Sequence, residues 1–145
     1  MRILFLSALL LGLTVTAEAH KGATGVVKMR MDSMGVAKDA VADLAKIAGG
    51  QSTYSATAVS ALAAQIADEM TAAPGHFTQR DLSPPTEALP ILWDEMDRFA
   101  DLARRSADAA NAVAETETLD AMRPALLSLG QTCTDCHDRY RQIKP

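Results

Sequence analysis

The sequence predicts an all-α chain folded as an antiparallel four-helix bundle, and three observations carry that prediction. Aromatic residues make up only 4% of the chain while alanine is abundant, a balance that favours helices because strands draw on β-branched and aromatic side chains. Four stretches repeat apolar residues at spacings of three and four, the period of one helix face. Two short links and one long proline-rich connection join them, so each apolar stripe must be buried against the others. At 145 residues, one domain with a substantial core is the expected organisation.

The opening MRILFLSALLLGLTVTAEAH stands apart from the bundle. Arg2 supplies a short positive start, Ile3 to about Val15 is apolar, and Ala17 and Ala19 flank Glu18 as an A-x-A cleavage site. Residues 1–19 therefore read as a secretory signal peptide, too short to span a bilayer. The expected mature chain, residues 20–145, begins at His20, is exported, and has no membrane segment after cleavage. Cleavage removes one positive and one negative side chain and leaves the net charge at -4. Such mild acidity argues against a nucleic-acid partner, which would draw a basic patch. Export into an oxidising compartment also means that two idle cysteines would tend to pair, so these two need a purpose.

Segment one runs from about Thr24 to Ala48 and stops at Gly49-Gly50, a strong terminator. Val27, Met31, Met34, Val41, Leu44 and Ala48 share its apolar face. Segment two, about Ser55 to Ala72, repeats Val59, Leu62, Ile66 and Met70 and ends at Pro74-Gly75. A tight turn joins the two, which should pack antiparallel. In PGHFTQRDLSPPTEALP the prolines exclude continuous helix or a central strand. Segment three, about Pro90 to Ala114, sets Leu92, Met96, Phe99, Ala103, Ala110 and Val113 against an outer side rich in Asp and Arg, with Pro90 suited to the first turn. Segment four starts near Thr118 or Leu119 and reaches about Gln142. Leu119, Met122, Leu126, Leu129, Cys133, Cys136 and Tyr140 step along one heptad-like seam, while Pro124 bends the first turns or moves the start towards itself.

Both cysteines lie on that seam. Cys133-Thr134-Asp135-Cys136-His137 is C-x-x-C-H, the attachment pattern of haem c. On a helix the two thiols stand on one face a turn apart, so their sulfurs can reach two vinyl groups on one porphyrin edge, and His137 follows as a proximal iron ligand. A thioredoxin-like C-x-x-C would sit in a βαβ setting, absent here, and a structural zinc wants four ligands where this tail offers three. The remaining alternative is a haemless bundle with Cys133 and Cys136 as a disulfide or redox couple. A haem between the helices would also occupy core that Phe and Trp would otherwise fill.

A C-terminal C-x-x-C-H continued by DRYR on the last helix of a bundle resembles the class II c-type cytochromes, cytochrome c′ and its low-spin relatives. VVKMRMDSM near the start of the mature chain and LPILWDEMDRF on segment three extend the likeness over nearly all of it. The resemblance implies an arginine on the first helix followed, four residues on, by the side chain facing the distal side of the haem; here these are Arg30 and Met34. It also implies that Arg141 stands beside the proximal imidazole, that Trp93 lies near a propionate edge, and that two copies form a homodimer through the first two helices. Arg30 would pair with a propionate, line the distal pocket, or remain a solvated charge.

Independently of the resemblance, Met34 shares a face with Val27 and Val41, which aims its thioether at a group held by the fourth helix. Met31, about sixty degrees round the same helix, is the rival ligand, whereas Met29 falls on the opposite side. Gly35 stands where the family often has lysine. His76 is the candidate if both methionines are only packing, and His20 would offer copper an amine and an imidazole without a partner histidine.

Sulfur opposite imidazole makes iron six-coordinate and low-spin with a raised potential. The expected function is thus a periplasmic monohaem carrier of single electrons between redox partner proteins, not an enzyme. Arg139, Arg141 and Lys144 are placed to steer an acidic partner. The alternative is a five-coordinate member that binds small gases such as nitric oxide or carbon monoxide, with Met34 only a pocket wall.

Overall fold

The computed structural model describes residues 22–142. The expected signal peptide, His20 and Lys144 lie outside the described residues. In order, the elements are α1 (Gly25–Ala48), α2 (Ala56–His76), α3 (Ile91–Asp94), α4 (Met96–Ala114) and α5 (Leu119–Tyr140). The four long helices close a ring in which α1 meets α2, α2 meets α4, α4 meets α5 and α5 returns to α1. This is the four-helix bundle that the periodicity predicts. The contact between α1 and α5 is the lightest of the four, and that between α2 and α4 the most extensive. No helix among the described residues is long and apolar enough to cross a membrane.

Helix ends follow local chemistry. The Gly49 N–H bonds Ala45 O at 2.9 Å, and Gly50 takes φ 73°, a left-handed turn in which a side chain would be strained. Ser55 and Thr118 cap α2 and α5, their hydroxyl oxygens accepting the N–H of Ala58 at 3.4 Å and of Ala121 at 3.2 Å.

Three boundaries depart from expectation. α2 passes through Pro74 to His76, because a proline so near a helix end removes only one donor of the last turn, which closes with Phe77 N–H on Pro74 O at 3.2 Å. The single helix expected over 90–114 is two, parted at Glu95, whose backbone leaves the helical region and whose carboxylate turns to α5. α5 ends at Tyr140 because Arg141 is extended and meets Ala88 in an isolated antiparallel bridge. Leu89 N–H donates to Tyr140 O at 2.8 Å and Gln142 N–H to Glu87 O at 2.7 Å, so the crossover loop takes the bonds that a further helical turn would have used. Pro124 lies inside α5 without ending it.

The inner face of α1 is also rotated from the expected stripe. Val27, Arg30, Ser33, Ala37, Ala40, Leu44 and Ile47 are buried, while Met31, Met34, Val41 and Ala48 flank them half-buried. Apolar spacing alone misses this because Arg30 and Ser33 are polar. Ser33 is satisfied by donating to Glu69 Oε2 at 2.5 Å across the α1–α2 contact.

The core divides into two clusters. One is aliphatic, with Leu44, Val59, Ile66, Val113, Met122 and Leu129 at its centre and Ala63 and Ala110 letting α2 and α4 approach. The other is aromatic, built on Phe77, Phe99 and Tyr140 with Leu92 and Leu102.

Candidate haem site

α5 presents its two thiols at the border between the clusters. Cys133 packs against the aliphatic cluster and Cys136 against the aromatic one; both are half-buried and free. The residues between them are occupied elsewhere, Thr134 Oγ1 donating to Gly130 O at 3.1 Å and Asp135 accepting from Gln131 Nε2 at 2.8 Å. Burial raises the Cys133 pKa, and burial followed by the proximity of Cys133 pushes Cys136 up to about 11. Both thiols are therefore protonated at neutral pH. A reactive dithiol shows the opposite, a depressed pKa and a ready thiolate.

His137 comes next, with part of its imidazole open to solvent. The protein packed around the rest lowers its pKa, desolvation acting first and the charge of Arg141 second. A neutral imidazole keeps a lone pair for a metal. Arg141 is held nearby by two bonds, its N–H reaching His137 O at 3.0 Å and its Nε reaching Glu87 Oε2 at 2.7 Å. Tyr140 OH and the Arg139 guanidinium both donate to Glu95, and these bonds, Arg139 first, draw the Glu95 pKa down to about 2. Arg139 and Arg141, two of the three basic residues expected to steer an acidic partner, are thus ion-paired with Glu95 and Glu87.

Met34, half-buried on α1, packs on the same aromatic cluster as Cys136. Met29 points outward at 44% exposure, and Met31 is half-buried but, among the described residues, packs on neither cluster. Met96, at the start of α4, also packs on the aromatic cluster, a second thioether that sequence spacing had assigned only to core. His76 is half-buried at the end of α2, its carbonyl accepting from Arg30 Nε at 2.9 Å.

Arg30 is buried at 4% exposure, and its guanidinium donates to three backbone carbonyls, those of His76, Gln79 and Asp81. Its cation lies over Phe77 at 4.4 Å and Trp93 at 5.2 Å from the ring centres. Burial lowers its pKa while the charge of Asp81 raises it. Trp93 donates its indole N–H to Phe77 O at 2.7 Å. Both residues thus address the crossover loop, a role that no local pattern in the sequence signals. Phe77, Phe99 and Tyr140 continue from them edge to face, at 5.0 and 5.6 Å between ring centres.

The residues present fit a haem. Two free thiols with raised pKa values stand one turn apart beside an imidazole whose pKa is lowered, and a thioether lies on α1, whose contact with α5 is the lightest of the four between the long helices. Fold and tail together define a haem-bearing helical bundle.

Comparison with known proteins supplies the family. A family model described as Cytochrome C′ matches residues 25–141, and the chain belongs to the cytochrome c′ family. It is 37% identical over 100 residues to a cytochrome c-556 of Agrobacterium tumefaciens (strain apple 185), covering 68% of this chain and 79% of that one. It is 33% identical over 120 residues to cytochrome c′ of Pararhodospirillum photometricum, covering 80% and 95%. Among solved structures, cytochrome c′ from Rhodopseudomonas palustris matches with a TM-score of 0.78 at 25% identity, over 85% of this chain and all of that one. A structure of oxidised cytochrome c556 from the same organism shares the fold, with a TM-score of 0.74. Haem c is the family's cofactor, and Cys133 and Cys136 are its attachment pair in this chain.

Proposed function

We propose that the protein is an exported, periplasmic carrier of single electrons, whose one haem c would be held by Cys133 and Cys136 with His137 and Met34 as the iron's ligands. The observation that supports this reading is that Met34 on α1 and Cys136 on α5 both pack on one aromatic cluster. When bound, the haem supplies a one-electron ferric–ferrous couple. Cys133 and Cys136 tie it to α5. His137, its pKa lowered by desolvation first and by the charge of Arg141 second, would offer a ring nitrogen. Met34 would offer a sulfur, a ligand that raises the potential of such a group and would leave no open position for water or gases. Phe99 and Tyr140 keep that end of the bundle apolar. Nothing is chemically transformed, so no general acid or base is required and the protein is not an enzyme.

Absorption spectra of ferric and ferrous holoprotein test the ligand pair. A low-spin spectrum with a sulfur-to-iron charge-transfer band is expected, and Met34→Leu should convert it to a high-spin form that takes up carbon monoxide. A Met34→Leu protein with the parent spectrum would remove Met34 from the iron and direct attention to Met31 or Met96. High-spin spectra of the unaltered protein would instead identify a gas-binding member. Export rests on residues 1–19, and sequencing of the secreted chain should begin at His20. The homodimer implied by the family likeness belongs to the same reading: Met29 and Val36, 44% and 43% exposed, lie two turns apart on the outside of α1, and sedimentation of the mature protein tests it.

A further inference from the structure

The crossover loop over residues 77–90 is fastened at both ends. At its start, Arg30 donates from Nε, Nη1 and Nη2 to the carbonyls of His76 (2.9 Å), Asp81 (2.9 Å) and Gln79 (2.5 Å), and Trp93 Nε1 donates to Phe77 O at 2.7 Å. At its finish, Leu89 N–H reaches Tyr140 O, Gln142 N–H reaches Glu87 O, and Arg141 Nε reaches Glu87 Oε2. The first fastening is one turn before Met34 on α1. The second begins three residues after His137, where α5 ends. The loop is therefore a strap between the two helices that bear the proposed axial groups, and direct packing of α1 on α5 is the lightest of the four contacts between the long helices.

Arg30 suits this task for reasons of shape. A planar guanidinium holds five N–H donors in a fixed fork, and three of them meet carbonyls of one short segment while its faces lie on Phe77 and Trp93. Lysine, a point charge on a flexible stem, cannot hold all three carbonyls in that arrangement. Removing the fork would take away the side chain that holds these three part-buried carbonyls to α1, and so free the start of the loop.

We infer that Arg30 is a positioning residue that, by clamping the start of the crossover loop to α1, sets the separation between Met34 and His137 and keeps the thioether on the iron. This rests on the proposed axial pair. It differs from a role on a propionate in that three of the five N–H donors, including Nε, already meet loop carbonyls.

The test uses mature ferric holoprotein as the parent and as Arg30→Leu, Arg30→Lys, Trp93→Phe and Met34→Leu. Two quantities are read: the rate at which added imidazole displaces the distal ligand, by stopped-flow absorbance, and deuterium uptake by the amides of residues 77–83. Arg30→Leu should speed imidazole binding by about tenfold or more, equivalent to about 1.4 kcal/mol, and raise deuterium uptake across the segment. Arg30→Lys should fall between it and the parent, and Trp93→Phe should move both readings less in the same direction. If Arg30→Leu fails to assemble with haem, the Arg30→Lys and Trp93→Phe proteins decide by the same two readings. An unchanged imidazole rate, with or without faster deuterium uptake, overturns the inference and leaves Arg30 a structural residue of the loop. Failure of the axial pair is seen separately, as a parent spectrum in Met34→Leu with Arg30 intact.

Discussion

The two ends of the bundle are filled by different chemistry. The end around Leu44, Val59, Val113, Met122 and Leu129 is aliphatic and fully closed, every one of these side chains at 0% exposure. Its loops are tied across the end, Tyr54 OH donating to Thr116 O at 2.7 Å and Arg123 Nε to Ala48 O at 3.0 Å. The other end holds four of the six aromatic residues, Phe77, Trp93, Phe99 and Tyr140, and around them Met34, Met96 and Cys136 are only half-buried. One end is finished by the polypeptide, with Cys133 of the attachment pair packed at its border. The other presents sulfur, imidazole and ring edges around side chains that a flat bound group would cover, which separates where the fold is held from where its chemistry lies.

The sharpest challenge to that division is a cavity in the closed end. Leu129→Ala should cost about 2–5 kcal/mol in denaturant unfolding of the holoprotein, the range for a buried leucine truncated to alanine, while the absorption spectrum stays that of the parent. A shifted spectrum would mean that the two ends are not independent.

Glu95→Gln probes the haem end by pH. The Glu95 carboxyl is held near 2 in the fold against an ordinary 4.5, so its contribution is complete above about pH 4.5, falls as pH drops through that interval, and is gone below about pH 2. The parent should therefore exceed Glu95→Gln in melting temperature at neutral pH, with the gap closing as the pH drops from 4.5 towards 2. A gap that does not narrow there would remove Glu95 as the acid-sensitive clasp of α5.

The smallest effect is expected from Tyr54→Phe, which deletes one hydrogen bond at the closed end. A loss of about 1 kcal/mol in unfolding free energy, with no change in imidazole binding or spectrum, would place that bond wholly on the structural side. Faster imidazole binding in this variant would instead join the ends.

Much of this was legible in the chain. The spacing of Val59, Ile66, Val113, Met122 and Leu129 names the closed core, and C-x-x-C-H names the attachment face, because both are patterns within one helix. The glycines after Ala48 and the threonine before Leu119 mark real boundaries for the same reason. Arg30 was legible only as a charged residue of interest. Its place inside the bundle depends on carbonyls about fifty positions away, those of His76, Gln79 and Asp81, and burying its charge stays favourable only when they are in reach. The break at Glu95 was invisible for a like reason, since its partners Arg139 and Tyr140 lie on another helix.

From the order of residues alone come the helical class, four amphipathic segments and a tail built to be joined to a haem, because a turn of helix brings together only neighbours three or four apart. Tertiary structure decided which flank of α1 carries Met34 to the cluster shared with Cys136, that Arg30 straps the loop, and that Arg139 and Arg141 are ion-paired with Glu95 and Glu87. These are contacts between residues far apart in the chain, and their geometry exists only once the helices have docked.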